Sequence, residues 1–483
     1  MARILLVTPD YHCGVVESAG KWLNCGFVYI AGELKKDGHQ VTIYDAMTKD
    51  HRIEEIGDNI SRFQPDIVAT TAYTSTIDAA LEVLAAAKAR CPGVVTALGG
   101  VHPTFCYPEI LTDNTSVDYV VRGEGELTFR ELVQALATGS DALERIAGIA
   151  FRQGPQVVVT PDRPFIPNLD DLQPAWELVD WSDYTYYIFP GSRLAVISTS
   201  RGCEHDCQFC SQRKFWNLSW RARSVESVTG EIELLHNKYG VDVILIADEY
   251  PTKDRQRWES ILDWLIDHKL GVKILLETRV DDIVRDEDIM DKYRRAGVAH
   301  IYVGVEATSQ SMLDRFQKGI DTNASKKALD LINSHGMVTE TSFVLGTPEE
   351  TKESIAQTLE LAKVYNPDFA HFLLLAPWPY ADMYEELAPH VETFDYSEYN
   401  LVAPVIKPVD MTRAELFKEV LNCYQSFYFY KIPQWTKLKD TFKKAYLLKS
   451  MKVILNNSFI TQHVPMLGTM PKKVKDLVEK LGL

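Results

Sequence analysis

The sequence predicts an α/β protein: a parallel sheet covered by helices on both faces, then a partial (β/α)6 barrel, then a mostly helical C-terminal region. Three observations predict it. Short apolar strands alternate with helix-length stretches over the first ~140 residues. A second series of the same kind, with six strands, begins near residue 191 and makes roughly three quarters of an eight-stranded barrel. From residue 386 onward the alternation gives way to a helical pattern.

The first series reads RILLVT (3–8), QVTIYDA (40–46), DIVATTA (66–72), VVTALGG (94–100) and VDYVVRG (117–123). Stretches such as IDAALEVLAAAKAR (77–90) supply the connecting helices. Ligands of such sheets bind at the carboxyl ends of the strands. Residues 146–190 break the rhythm. IAGIAFRQGPQVVVT reads as a hairpin closed around Gly154 and Pro155, and PDRPFIPNLDDLQPAWELVD as a Pro- and Asp-rich linker. The second series reads LAVISTS (194–200), DVILIAD (242–248), VKILLET (272–278), AHIYVGV (299–305), TETSFVLG (339–346) and DFAHFLLL (368–375). Barrel chemistry sits at strand C-termini. The expected divisions are 1–145, 146–190, 191–385 and 386–483. Neither an internal repeat nor a low-complexity tract is present.

Composition narrows the function. The formal charge is −16 with no long basic run, which argues against nucleic acid as the main partner. The start, MARILLVTPD, does not read as a signal peptide. No apolar run approaches ~20 residues, so no transmembrane segment is expected. Eight cysteines without a secretion signal point to the reduced cytoplasm; peripheral membrane contact stays open.

Three of those cysteines lie together. Cys203, Cys207 and Cys210 are spaced C-x3-C-x2-C after the first strand of the second series. A structural zinc site usually takes four protein ligands, and no fourth is evident. Iron–sulfur clusters are held by thiolates. Three thiolates on a four-iron cluster leave one iron open to a further ligand.

The motif resembles the signature of the radical S-adenosylmethionine (SAM) superfamily, whose fold is a partial TIM-type barrel. The resemblance implies a 4Fe-4S cluster on Cys203, Cys207 and Cys210, with SAM on the open iron and cleaved to a 5′-deoxyadenosyl radical. It places Phe209 beside the adenine, and Asp248 and Glu249 of ADEYP at the SAM amino end. Arg279 of LETRV suits the SAM carboxylate by a charge-assisted contact. Glu306 of VGVEA falls near the ribose, and Gly346 of SFVLGTPEET near the adenine.

The first series, placed before such a barrel, resembles the Rossmann-like cobalamin-binding domain of the cobalamin-dependent subclass. LGGVHPTF and VVRGEGE match its loops after the fourth and fifth strands. This implies cobalamin contacts from Gly99, Gly100, Gly123, Glu124 and Gly125, with His102, Thr74 and Ser75 at neighbouring strand ends. Gly99 and Gly100 are expected to let the ligand approach the backbone. Asp10, His12 and Gly14 in TPDYHCG fall one residue short of the cobalt-ligating D-x-H-x-x-G pattern. His12 is therefore expected near the cofactor but not as an essential cobalt ligand.

DYHCGVVESAGKW, IYDAMT, CSQRKFW, ADEYPT, TRVDDI, APWPY and YNLVAPVIKPVDMTRAEL extend the resemblance to about residue 430. They resemble the anaerobic magnesium-protoporphyrin IX monomethyl ester cyclase family. KWLNCGFVY departs from that family's pattern. The resemblance implies a magnesium-porphyrin (tetrapyrrole) substrate, oxygen taken from water, hydroxy and keto intermediates, and an external electron donor such as flavodoxin or ferredoxin. Candidates for a flat apolar slot are Trp216, Trp220, Trp378, Tyr380, Tyr424, Phe427 and Tyr428; core packing is the competing role of each. Three rival readings remain on the sequence alone: a cobalamin-dependent radical SAM methylase, a non-catalytic cobalamin or tetrapyrrole carrier, and a tRNA-modifying enzyme.

Overall fold

The computed structural model describes residues 1–12, 19–139 and 143–457. The first sheet has seven strands: β1 (Arg3–Thr8), β2 (Gln40–Asp45), β3 (Ile67–Thr71), β4 (Val95–Gly99), β5 (Tyr119–Val121), β6 (Ile149–Gln153) and β7 (Gln156–Val159). Their order is β2-β1-β3-β4-β5-β6-β7. The first five are parallel, and the β6–β7 hairpin joins antiparallel through β5, with Tyr119 opposite Phe151. Ile4, Leu5, Leu6 and Val7 are all fully buried, because helices cover both faces of the sheet. Leu5 and Val7 pack into one apolar cluster, Ile4 and Leu6 into another on the opposite face.

Residues 161–190 do more than connect. Trp176, Trp181 and Tyr184 are buried in the apolar cluster of the second sheet, and the Trp176 indole donates to Glu231 (2.9 Å).

The second sheet holds β8 (Leu194–Ile197), β11 (Val243–Ile246), β12 (Lys273–Arg279), β13 (Val298–Glu306), β14 (Val338–Leu345) and β15 (Phe369–Leu374). Its order is β15-β14-β13-β12-β11-β8, all parallel. This is the expected partial (β/α)6 barrel. Between β8 and β11 a small antiparallel hairpin, β9 (Ser200–Gly202) and β10 (Trp220–Ala222), frames the cysteine loop. Gly202 has φ +90°, and a Cβ there would lie 2.1 Å from the Ser219 carbonyl oxygen.

Two long C-terminal helices complete the barrel. Arg413–Trp435 starts at a capping box of Thr412 and Glu415 and packs on the helix Lys352–Tyr365 and on β15. Thr441–Asn457 closes the amino-terminal end of the barrel. Tyr446, Leu447 and Met451 pack there against Leu194, Val243, Leu275, Ala299, Val338 and Phe369. Among the described residues, no helix is long and apolar enough to cross a membrane.

Candidate functional site

The carboxyl ends of the two sheets face one another across two adjoining cavities of about 290 and 340 Å³. Glu249, at the end of β11, lines both. It accepts a hydrogen bond from the Gly202 amide (3.1 Å) and one from the Trp216 indole (2.9 Å).

The second cavity is the barrel mouth. Cys203, Cys207 and Cys210 share its wall with Phe209, Arg279 and Glu306. No fourth cysteine and no histidine lies on that wall among the described residues. Burial pushes the Cys210 thiol up to about 12 and raises Cys203 as well, so ionised sulfurs here need compensating positive charge. Arg279 and Lys318 supply part of it from the protein. Three soft donors around one space suit a thiolate-held cluster with one iron left open.

The SAM-binding candidates divide. Phe209 packs edge-on against Phe316 at 5.0 Å. Arg279 is nearly buried and anchored by Asp281 (3.0 Å) and the Lys318 carbonyl (2.9 Å). Glu306 sits at φ +65° and accepts from Lys318 (2.8 Å) and Ser342 (2.9 Å). The pair fits because residue 304 is glycine: a Cβ there would lie 2.6 Å from Glu306 Oε1 and 2.7 Å from Lys318 Nζ. Asp248 and Gly346 are not on the cavity wall. Asp248 is buried and accepts from the Thr199 amide (2.7 Å), the Thr199 hydroxyl (2.5 Å) and the Ser200 hydroxyl (2.7 Å). It ties down the turn that leads to the cysteines, and burial raises its pKa to about 6. Gly346 has φ +85° and lets the chain pass between Leu374 and Leu416.

The first cavity lies between the sheets. Gly99, Gly100, Gly123, Glu124 and Gly125 line it, together with Ser198 and Ala247 from the barrel. Gly123 has φ +70°, and no atom stands within 4 Å of the point a Cβ would occupy. Its loop therefore opens directly onto the cavity and fits a bulky ligand's approach. Gly100 has a different physical reason. Its φ is +103°, and a Cβ would lie 2.6 Å from the Ala72 carbonyl oxygen. Packing against β3, rather than ligand approach, fixes it as glycine. The Glu124 carboxylate is also engaged, accepting from Arg201 (2.7 Å), Arg221 (3.0 Å) and the Ile166 amide (2.7 Å).

His12, Thr74, Ser75 and His102 are not on this wall. His12 pairs with Asp10 (3.0 Å); Gly14 lies outside the described residues. His102 Nδ1 meets the Thr74 hydroxyl (3.1 Å), which meets the Tyr380 hydroxyl (3.0 Å). Burial lowers His102 to about 4, so its ring is neutral.

The aromatic candidates divide too. Trp216 lines the first cavity and Trp378 the second. Trp220 donates to the Tyr250 carbonyl (2.9 Å), and Tyr380 stacks on Phe105. Tyr424 and Phe427 are buried in the barrel's outer core, with Tyr428 packed against it. Several lining groups were not among the candidates named from the sequence: Cys25, Tyr29 and Tyr73 in the first cavity, Glu277, Tyr302 and Lys318 in the second. Tyr73 is 65% exposed despite its interior position. The period-two alternation of β12 puts Glu277 on the face of Arg279 and could have revealed it.

Known proteins follow the same division. Residues 11–133 match the B12 binding domain family and residues 197–362 the Radical SAM superfamily. The chain is 38% identical to the anaerobic magnesium-protoporphyrin IX monomethyl ester cyclase of Rubrivivax gelatinosus, over 95% of this chain and 83% of that protein. It is 32% identical to an uncharacterized methyltransferase of Pyrococcus horikoshii, over 88% and 92%. Its fold is similar to that of the cobalamin-dependent S-adenosylmethionine radical enzyme OxsB, solved with aqua-cobalamin and S-adenosylmethionine bound. There the TM-score is 0.70 at 18% identity, covering 100% of this chain and 75% of that one. With that 38% identity sustained across nearly its whole length, the chain belongs to the family of the anaerobic magnesium-protoporphyrin IX monomethyl ester cyclases.

Proposed function

We propose that this protein is a radical SAM oxidoreductase that forms the isocyclic ring of magnesium-protoporphyrin IX monomethyl ester, with the ring oxygen taken from water. The observation that carries the reading is the junction of the two cavities at Glu249, in a chain 38% identical to a cyclase of that name. The cofactors are a 4Fe-4S cluster, SAM and cobalamin. Together they supply a carbon-centred oxidant able to take hydrogen from the methyl-propionate side chain.

The chain's own groups then have distinct tasks. Cys203, Cys207 and Cys210 hold the cluster. Arg279 binds the SAM carboxylate, Glu306 its ribose, Glu249 its amino end, and Phe209 packs at the adenine. Gly99, Gly123 and Gly125 bound the cobalamin space. Trp216 and Trp378 offer flat apolar surface to the macrocycle. We assign 1–145 to cobalamin, 146–190 to the connection, 191–385 to the radical barrel and 386–483 to the helical closure. An external low-potential donor such as flavodoxin or ferredoxin supplies electrons, in the cytoplasm.

The test is anaerobic incubation with SAM, reductant, cobalamin and the porphyrin ester in heavy-oxygen water. The expected result is a ring ketone carrying solvent oxygen, with methionine and 5′-deoxyadenosine. A product with an added methyl group and S-adenosylhomocysteine would instead establish the methylase reading, which the Pyrococcus relative favours.

A further inference from the structure

Barrel lumens of this type are filled by branched apolar side chains; this one is polar along much of its height. Glu277 stands on the lumen face of β12, two residues before Arg279. Its side chain is accessible and yet lies deep in the fold, because the surface it exposes belongs to the cavity of the cysteine loop. Among the described residues, no hydrogen bond holds its carboxyl group.

The column continues across the strands. Register sets Glu277 beside Tyr302, and Tyr302 beside Glu340. Tyr302 donates to Ser342 (2.5 Å). Glu340 is held by His300 (2.8 Å) and His371. His300 Nδ1 meets the Tyr446 hydroxyl (2.9 Å), which meets that of Tyr186. Glu340 and His371 keep roughly a quarter of their side-chain surface (24% and 23%) accessible inside the barrel, and polar space of this kind takes up water.

We propose that Glu277 accepts the proton released when water adds to the substrate carbon, and that Tyr302 and the His300–Glu340–His371 cluster pass it down the lumen. This rests on the cyclase reading. In the step, the side-chain carbon has lost a hydrogen atom and then one electron, the latter to a one-electron metal acceptor, an oxidised iron–sulfur cluster or cob(II)alamin. A water oxygen bonds to the cationic carbon. One water O–H bond breaks and its proton forms an O–H bond on the Glu277 carboxylate, leaving a neutral alcohol.

Charge supports the assignment. Burial, with Glu249 and Glu306, pushes Glu277 up to about 8 against the opposing pull of Lys318. Sharing its cavity are Glu249 after β11, Tyr302 and Glu306 on β13, Lys318 from the loop before residue 322, Arg279 on its own strand and the thiols of Cys203, Cys207 and Cys210, with Asp248 behind the wall and Glu340 two strands away on β14. The acceptor is the carboxylate. Hydroxylation therefore rises with pH and is half-maximal at about 8.

The experiment uses the reconstituted full chain and its Glu277→Gln and Glu277→Asp variants. Glu277→Gln is expected to keep its iron, its SAM affinity by calorimetry and its release of 5′-deoxyadenosine. Hydroxylated and cyclised products should fall about 100-fold and lose the rising pH limb, with Glu277→Asp restoring part of both. His371→Gln should slow the same step and enlarge its solvent deuterium isotope effect; an unchanged effect overturns the relay. Wild-type product formation by Glu277→Gln overturns the acceptor role. Weakened SAM binding with a proportionate loss of product makes Glu277 a SAM ligand instead, and also overturns it. A wild-type protein that makes no hydroxylated or cyclised product overturns the cyclase reading and this inference together.

Discussion

At the scale of single residues, glycines carry as much of the site as charges do. Glu306 and Lys318 can meet only because they fill the space that the missing side chain of Gly304 leaves. Gly304→Ala would drive a methyl into both partners of a buried ion pair. The expected outcome is a SAM dissociation constant raised about tenfold, equivalent to roughly 1.4 kcal/mol, with iron content unchanged; titration of the reconstituted protein with SAM reads it. The cysteines make a complementary case. Cys203→Ala should lose cluster iron and all SAM cleavage while keeping its helical circular dichroism, and iron analysis checks it. The cysteine spacing was legible in the sequence because neighbouring positions on one loop must share one wall. The split between Asp248 and Glu249 was not. Both follow β11, and only the turn geometry decides that Asp248 serves Thr199 and Ser200 while Glu249 faces the cavities.

At the scale of elements, every parallel strand of the two large sheets was legible, because strands covered on both faces must be apolar runs. The β9–β10 hairpin was not: three-residue strands carry too little pattern to register. It matters because it sets where the cysteine loop begins. Gly202→Ala meets both a positive φ and a carbonyl 2.1 Å from its methyl. Either the hairpin opens or the loop shifts, and reduced cluster occupancy with an intact first sheet is the expected result. The helix Thr441–Asn457 lies in the region expected to be helical, but its place as a plug under the barrel was not legible. Its apolar residues run together as AYLL rather than as a single stripe, since it is a plug with apolar contacts on several sides. Leu447 is fully buried there, so Leu447→Ala should cost about 2–5 kcal/mol, measured by chemical unfolding. An exposed position on the same helix, Lys452, should tolerate alanine within about 0.5 kcal/mol.

At the scale of the whole molecule, the two sheets are joined by charge as well as by apolar contact, and sequence patterns are silent about such joints. Arg201 and Glu124 lie 77 residues apart, and neither occupies a periodic position that announces a partner. Their meeting has a functional consequence. Glu124 belongs to the loop that bounds the first cavity, and Arg201 sits on the strand that leads into Cys203. Arg201 also binds Glu126 (2.6 Å), and Arg221 completes the group over Phe165. All four charges are largely withdrawn from water, so salt should screen them little. Removing one partner leaves the others buried and uncompensated, which costs about 3–5 kcal/mol. Glu124→Ala should therefore lower thermal stability and weaken both cobalamin retention and cluster occupancy, although residue 124 touches no cysteine. Glu124→Gln keeps the acceptor oxygen and should lose less of each. If cobalamin retention fell alone, with cluster content and melting temperature at wild-type values, Glu124 would be a ligand contact only. Paired losses that track the melting temperature are what a clamp between the two cofactor loops requires.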